Sequence, residues 1–115
     1  MDPQPSRQAT EAAIQRLADD GSDLSKPMQI DFFVAVPGRD VGQRVGDAAA
    51  ARGFTVSVEQ EEESGDWTCY CTTTVVPSVD RVWGLEQELD ALARPLGGYS
   101  DGFGSYGNAA DPGGT

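Results

Sequence analysis

The chain has 115 residues with 19 acidic against 8 basic side chains, a net charge of -11; one domain of this size removes roughly two thirds of its unfolded surface from water and needs no disulfide or metal staple. No basic stripe is available to neutralise phosphates, which argues against direct nucleic-acid binding. Seven of the eight cations are arginine, and excess carboxylate with arginine over lysine resembles proteins of salt-loving cytoplasms, where about 1 M salt screens self-repulsion within about 3 Å.

Met1 to Ser6, with two prolines, reads as a mobile tail ahead of a single domain over 7–107. From Arg7, the residues Thr10, Ala13, Ile14, Leu17 and Ala18 recur at helical spacing, and Gly21 supplies a left-handed cap. Asp19, Asp20 and Asp23 crowd the C-terminal end of this helix, where its dipole disfavours negative charge. They form either a solvated turn before Lys26-Pro27 or part of a site. Met28 to Val36 alternates Met28, Ile30, Phe32, Val34 and Val36 against Gln29, Asp31, Phe33 and Ala35, a strand that becomes apolar on both faces near its end and therefore belongs at the centre of a sheet. No positively charged leader precedes an apolar segment, and no apolar run is long enough for a transmembrane helix. The expected location is the cytoplasm.

Pro37-Gly38 ends the strand, and Asp40 is placed to cap a second helix carried by Val41, Val45, Ala48 and Ala49 to Gly53. Thr55 to Glu61 turns Val56 and Val58 inward, with Glu59 and Glu61 outward as a guard against edge pairing. A turn at Ser64-Gly65-Asp66 makes a hairpin with Trp67 to Val76, rich in threonine and aromatic residues. Cys69 and Cys71 share a face of that strand. The chain has no histidine and no third cysteine, so a metal site lacks ligands and the thiols read as buried, reduced and structural. Pro77 and Ser78 start a third helix striped by Val82, Leu85, Leu89, Leu92, Ala93 and Leu96 and stopped by Gly97-Gly98. Tyr99 to Tyr106 closes the domain as a strand, and Asn108 to Thr115 reads as a second mobile tail.

After the leading helix the order is strand, helix, strand, strand, helix, strand. This is the α+β ferredoxin-like pattern (βαββαβ), an antiparallel sheet with two helices on one face, here preceded by an extra N-terminal helix. The apolar second side of the first strand places that extra helix over part of the other face. Related sheets bind single-stranded RNA through aromatics set among basic residues, and those basic residues are missing here. The closing stretch Gly97-Gly98-Tyr99-Ser100-Asp101-Gly102-Phe103-Gly104-Ser105-Tyr106-Gly107 has two readings. One is a strand with a glycine bulge and aromatic plugs; the other is a partner-binding edge centred on Asp101. The candidate partner-binding residues are Asp101, Phe103 and Tyr106, then Asp20 and Asp23. No nucleophile and base pair is visible, so an enzyme is not expected, and neither is a cofactor or metal.

Leu17-Ala18-Asp19-Asp20-Gly21-Ser22-Asp23, Trp67-Thr68-Cys69-Tyr70-Cys71 and Tyr99-Ser100-Asp101-Gly102-Phe103-Gly104-Ser105-Tyr106 resemble, in order and separation, the regulator of ribonuclease E activity B family, in an acidic, haloarchaeal-type form. The family's closing motif typically has tryptophan where this chain has Phe103. The long Asp/Glu-rich tail of bacterial members is not seen here; if that tail contributes to binding in them, binding by this chain is expected to use the folded surface instead. The resemblance implies a non-enzymatic inhibitor that binds an endoribonuclease of the ribonuclease E type outside its catalytic centre and modulates RNA degradation. An acidic domain has a physical basis for this, since arginine-rich RNA-binding segments attract it and RNA competes for them. The alternative function is a small-molecule-binding or dimerising regulatory domain, which a well-formed apolar pocket beside Tyr99, Phe103 and Tyr106 favours and a flat acidic face disfavours.

Overall fold

The computed structural model describes residues 6–108. The expected tails lie outside the described residues except for Ser6 and Asn108. Ser6 is the N-cap of helix α1 (Arg7–Asp19), its hydroxyl accepting from the Ala9 N–H at 3.4 Å. This satisfies one of the orphan donors of the first turn. Thr10 and Ile14 are the buried residues of α1, and Gly21, at φ 101°, lets the chain leave the helix.

Strand β1 (Met28–Val36) follows the alternation of its sequence, with Met28, Ile30, Phe32, Val34 and Val36 buried. Helix α2 (Arg39–Ala50) corrects one expectation. Its N-cap is Gly38, with no side-chain hydrogen bond, and Asp40 lies in the first turn. There its charge complements the helix dipole without accepting a capping bond. Gly42 and Gly46 are buried against the sheet, and a Cβ at either would fall 2.7 Å from Val58 Cγ1 or Val56 Cγ1 respectively. The two glycines let α2 approach strand β2 (Thr55–Gln60) more closely than any side chain would allow.

Strand β3 (Trp67–Val75) leads to helix α3 (Val79–Ala93), whose N-cap Ser78 accepts from the Arg81 N–H at 3.1 Å. A single 3-10 turn, Arg94–Leu96, ends in Gly97 at φ 93° and delivers strand β4 (Tyr99–Gly104). The four strands form one sheet in the order β2-β3-β1-β4, every neighbouring pair antiparallel. The architecture is α+β: a four-stranded antiparallel sheet and three helices.

One core lies between the helices and the sheet, where Ile30, Phe32, Val34, Cys69 and Cys71 meet Val45, Ala49, Val82 and Leu89. The expectation that α1 covers the other face of the sheet is not met. α1 packs against α3 and sends Ile14 into this same core. Its buried strip is narrow, and Thr10, only 2 % exposed, donates its hydroxyl to the Glu86 carboxylate of α3. Arg7 of α1 also pairs with Asp80 of α3, so two polar contacts hold α1 on α3, and no helix among the described residues covers the second face of the sheet.

Candidate functional site

The open face is built by strand register. Glu59, Thr68, Ala35 and Tyr99 form one row across the sheet; Ser57, Tyr70 and Phe33 form the next; Thr55, Thr72, Asp31 and Gly104 form the third. The Phe33 and Tyr70 rings meet edge to face with centroids 5.6 Å apart, a favoured aromatic geometry. Phe33 lies over Gly104, where an added Cβ would be 3.1 Å from its Cζ. In the third row the Thr72 hydroxyl donates to Asp31 Oδ1 at 2.6 Å.

The glycine bulge is present. Register shifts between Phe32, opposite Phe103, and Val34, opposite Ser100, so Asp101 and Gly102 together face Phe33, with Gly102 at φ 102°. The bulge leaves Asp101 exposed at the edge of a cleft of ≈ 380 Å³ that Glu61, Asp66, Ala35, Thr68 and Tyr99 also line. A second groove of ≈ 380 Å³ adjoins it, sharing Glu61 and Thr68 and adding Glu59, Glu62, Glu63 and Tyr70. Neither lining contains a lysine or arginine. Beside the cleft, Asp90 accepts from Arg94 Nε at 3.0 Å and from the Ser100 N–H at 2.8 Å, and the Arg94 guanidinium lies 5.8 Å over the Tyr99 ring.

The other sequence candidates lie elsewhere. Phe103 turns to the core side, its ring centroid 6.0 Å from that of Phe32. Asp20 is exposed at the C-cap of α1. The Asp23 carboxylate accepts from the Ser25 hydroxyl at 2.6 Å and its N–H at 2.9 Å. These hydrogen bonds, with Lys26 nearby, hold its pKa below the usual value. Tyr106 is fully exposed.

Asn108, expected in the tail, instead clasps this end of the molecule. Its side-chain oxygen accepts from the Asp23 N–H at 2.7 Å, its amide nitrogen faces the Asp23 carbonyl at 2.9 Å, and its own N–H donates to Ser22 Oγ at 3.3 Å. The structure therefore joins the Ser22-Asp23 turn to the closing segment through Asn108, and leaves Asp101 at the far end of β4. Cys69 and Cys71 are both buried with sulfurs 3.8 Å apart. Their contact and burial push the Cys71 thiol up, so it stays protonated in the core. Among the described residues no cluster of three or more His, Cys, Asp or Glu side chains could hold a metal ion.

The family model for regulator of ribonuclease activity B (RraB) matches residues 7–105. The chain belongs to the RraB family. No curated protein sequence matches it. The RraB match runs from the first residue of α1 to the residue after β4, so it takes in the whole sheet, Asp20, Asp23, Asp101 and Phe103, and stops one residue short of Tyr106. RraB proteins are regulators of ribonuclease activity. Phe33 and Tyr70 are not among the sequence candidates of this RraB domain, and Tyr99 enters there only beside a possible apolar pocket. The signal was there in the aromatic residues on the second side of β1 and β3, but it needed the register to bring them together.

Proposed function

We propose that this RraB domain is a non-enzymatic cytoplasmic regulator that binds an endoribonuclease of the ribonuclease E type and inhibits it, slowing RNA degradation. The observation that carries the reading is the RraB match across α1 and all four strands. Its fold is read as ferredoxin-like with an extra N-terminal helix, supported by the strand order β2-β3-β1-β4 and the antiparallel pairing throughout. Its single domain runs from Arg7 to Gly107, with Asn108 as a clasp. The acidic composition fits work at high salt.

Asp101, Tyr106, Asp20 and Asp23 are proposed as contact residues because their side chains reach the surface, and Phe103 supports the closing strand from below. The acidic cleft beside Tyr99 favours a protein partner over a small apolar ligand. The pocket beside Phe103 holds only ≈ 110 Å³, below the roughly 300 Å³ of ordinary ligand sites.

The test is capture from lysate of the source cells, at about 0.15 M and at about 1 M salt, with wild type, Asp101→Ala and Phe103→Ala as baits. Recovery of a ribonuclease E-type enzyme by wild type, reduced with folded Asp101→Ala, is the expected result. Recovery of no RNA-processing enzyme by any of the three contradicts it.

A further inference from the structure

The open face of the sheet pairs aromatic rings with carboxylates and offers no cation along either of its grooves. Phe33, Tyr70 and Tyr99 are half-buried on it, and Glu59, Glu61, Glu62, Glu63, Asp66 and Asp101 rim the two grooves. No helix among the described residues covers this face, because α2 and α3 occupy the other side and α1 packs on α3. Resting on the reading that the chain binds a ribonuclease, we propose that this face is the docking surface and that its occupant is an arginine-rich segment of the partner.

Arginine is selected by two features of the surface together. A guanidinium stacks on a tyrosine ring while donating two parallel hydrogen bonds to a carboxylate, whereas an ammonium is a more strongly hydrated point charge that does neither as well. The molecule already sets an arginine between a tyrosine ring and a carboxylate, with Nε shared between both Asp90 oxygens. Arg94 lies over Tyr99 while its Nε donates to Asp90. Tyr70, next to Glu59 and Glu63 in the second groove, offers an equivalent ring and carboxylates to an arginine from outside.

The face inverts the electrostatics of a nucleic-acid-binding sheet. Aromatic rings occupy the central rows where bases stack in RNA-binding relatives of such sheets, but the rim is anionic like a phosphate backbone. It therefore competes with RNA for a basic segment without binding RNA itself. Regulation follows from occupancy of the segment, with no contact to the catalytic centre of the ribonuclease.

The test uses the full chain and a fluorescent arginine-rich peptide, with a lysine peptide of equal length and charge as comparison, read by anisotropy. Two triple variants of equal charge separate the face from net charge: Glu61→Gln, Glu62→Gln, Glu63→Gln on the groove, and Glu11→Gln, Asp40→Asn, Asp47→Asn on the exposed surface of the helices. All six positions are exposed, so both variants are expected to fold, checked by circular dichroism. The expected result is binding of the arginine peptide in preference to the lysine peptide, weakened about tenfold by the groove variant, a change worth about 1.4 kcal/mol. The helix-side variant stays close to wild type, and Tyr70→Leu removes the preference for arginine over lysine. Equal loss in the two triple variants, or no binding by wild type, overturns the proposal. The same variants with the purified ribonuclease distinguish the two levels. If wild type and groove variant inhibit the enzyme equally, the docking surface is wrong and the regulatory function stands. If the peptide result holds and wild type does not bind the enzyme, the function is wrong and the surface stands.

Discussion

At the scale of single residues, Asp101 and Phe103 sit two positions apart and do opposite work. Phe103 packs on Phe32 from the edge of the core, so Phe103→Ala is expected to cost about 2–3 kcal/mol, less than a fully buried aromatic because part of the ring is exposed. Asp101 is exposed on the bulge, and Asp101→Ala is expected to change stability by less than about 0.5 kcal/mol while weakening partner capture. Urea unfolding of the two variants checks both; a large loss of stability in Asp101→Ala would make its role structural. The sequence offered Phe103 both as an aromatic plug and as a partner contact, and only the packing on Phe32 places its ring on the core side; Gly102 made the bulge legible. The cap of α2 was not legible, because Gly38 holds an extended φ of -174° that any residue can adopt. Nothing local marked it over Asp40.

Elements report how they meet. The strands were readable from period-two patterns, but the position of α1 was not. A stripe of Thr10, Ile14 and Leu17 says that one side is buried and not against what, and the deciding contact, Thr10 with Glu86, spans 76 positions. Glu86 is only 3 % exposed. Burial raises its pKa, opposed by the hydrogen bond from Thr10. The folded chain therefore holds this proton more tightly than the unfolded chain, and stability falls as pH rises from the ordinary carboxylate value through the raised one. Glu86→Gln keeps an acceptor for Thr10 and removes the titration. The stability of wild type minus that of Glu86→Gln, measured by urea unfolding across pH, is expected to decline through that window and level off above it. A difference independent of pH would contradict the burial of the charge. Where the 3-10 turn enters β4, Gly98 is pressed on the sheet, and a Cβ there would lie 2.7 Å from the Ala35 carbonyl oxygen and 3.2 Å from Ala93 Cβ. The backbone of a central strand cannot yield, so Gly98→Ala is expected to destabilise the fold by at least about 1–3 kcal/mol, the usual range for overpacking. A thermal midpoint within a degree or two of wild type would count against this packing.

Over the whole molecule, charge and architecture divide the surface into a helical side that completes the core and an open sheet side that faces outward. The sequence carried the composition, the element order and the short motifs of the RraB family. It did not show the open face as a surface, because Phe33, Tyr70 and Tyr99 lie 37 and 29 positions apart and come to one face of the sheet only through antiparallel register. The outward carboxylates Glu59 and Glu61 read as protection of an edge strand, a role that the exposed position of Glu59 on β2 still fits. Ionic strength offers a check at this scale. Raising salt from about 0.15 M to about 1 M shortens the screening length from about 8 Å to about 3 Å, and an interaction led by these carboxylates is expected to weaken progressively, while a contact dominated by apolar burial would hold or strengthen. The most direct test of the regulatory account is RNA cleavage by the purified ribonuclease E-type enzyme, with increasing amounts of this protein at two RNA concentrations. The account predicts that cleavage slows as the protein approaches the enzyme's concentration and that excess RNA relieves the inhibition. An unchanged cleavage rate at saturating protein would contradict it.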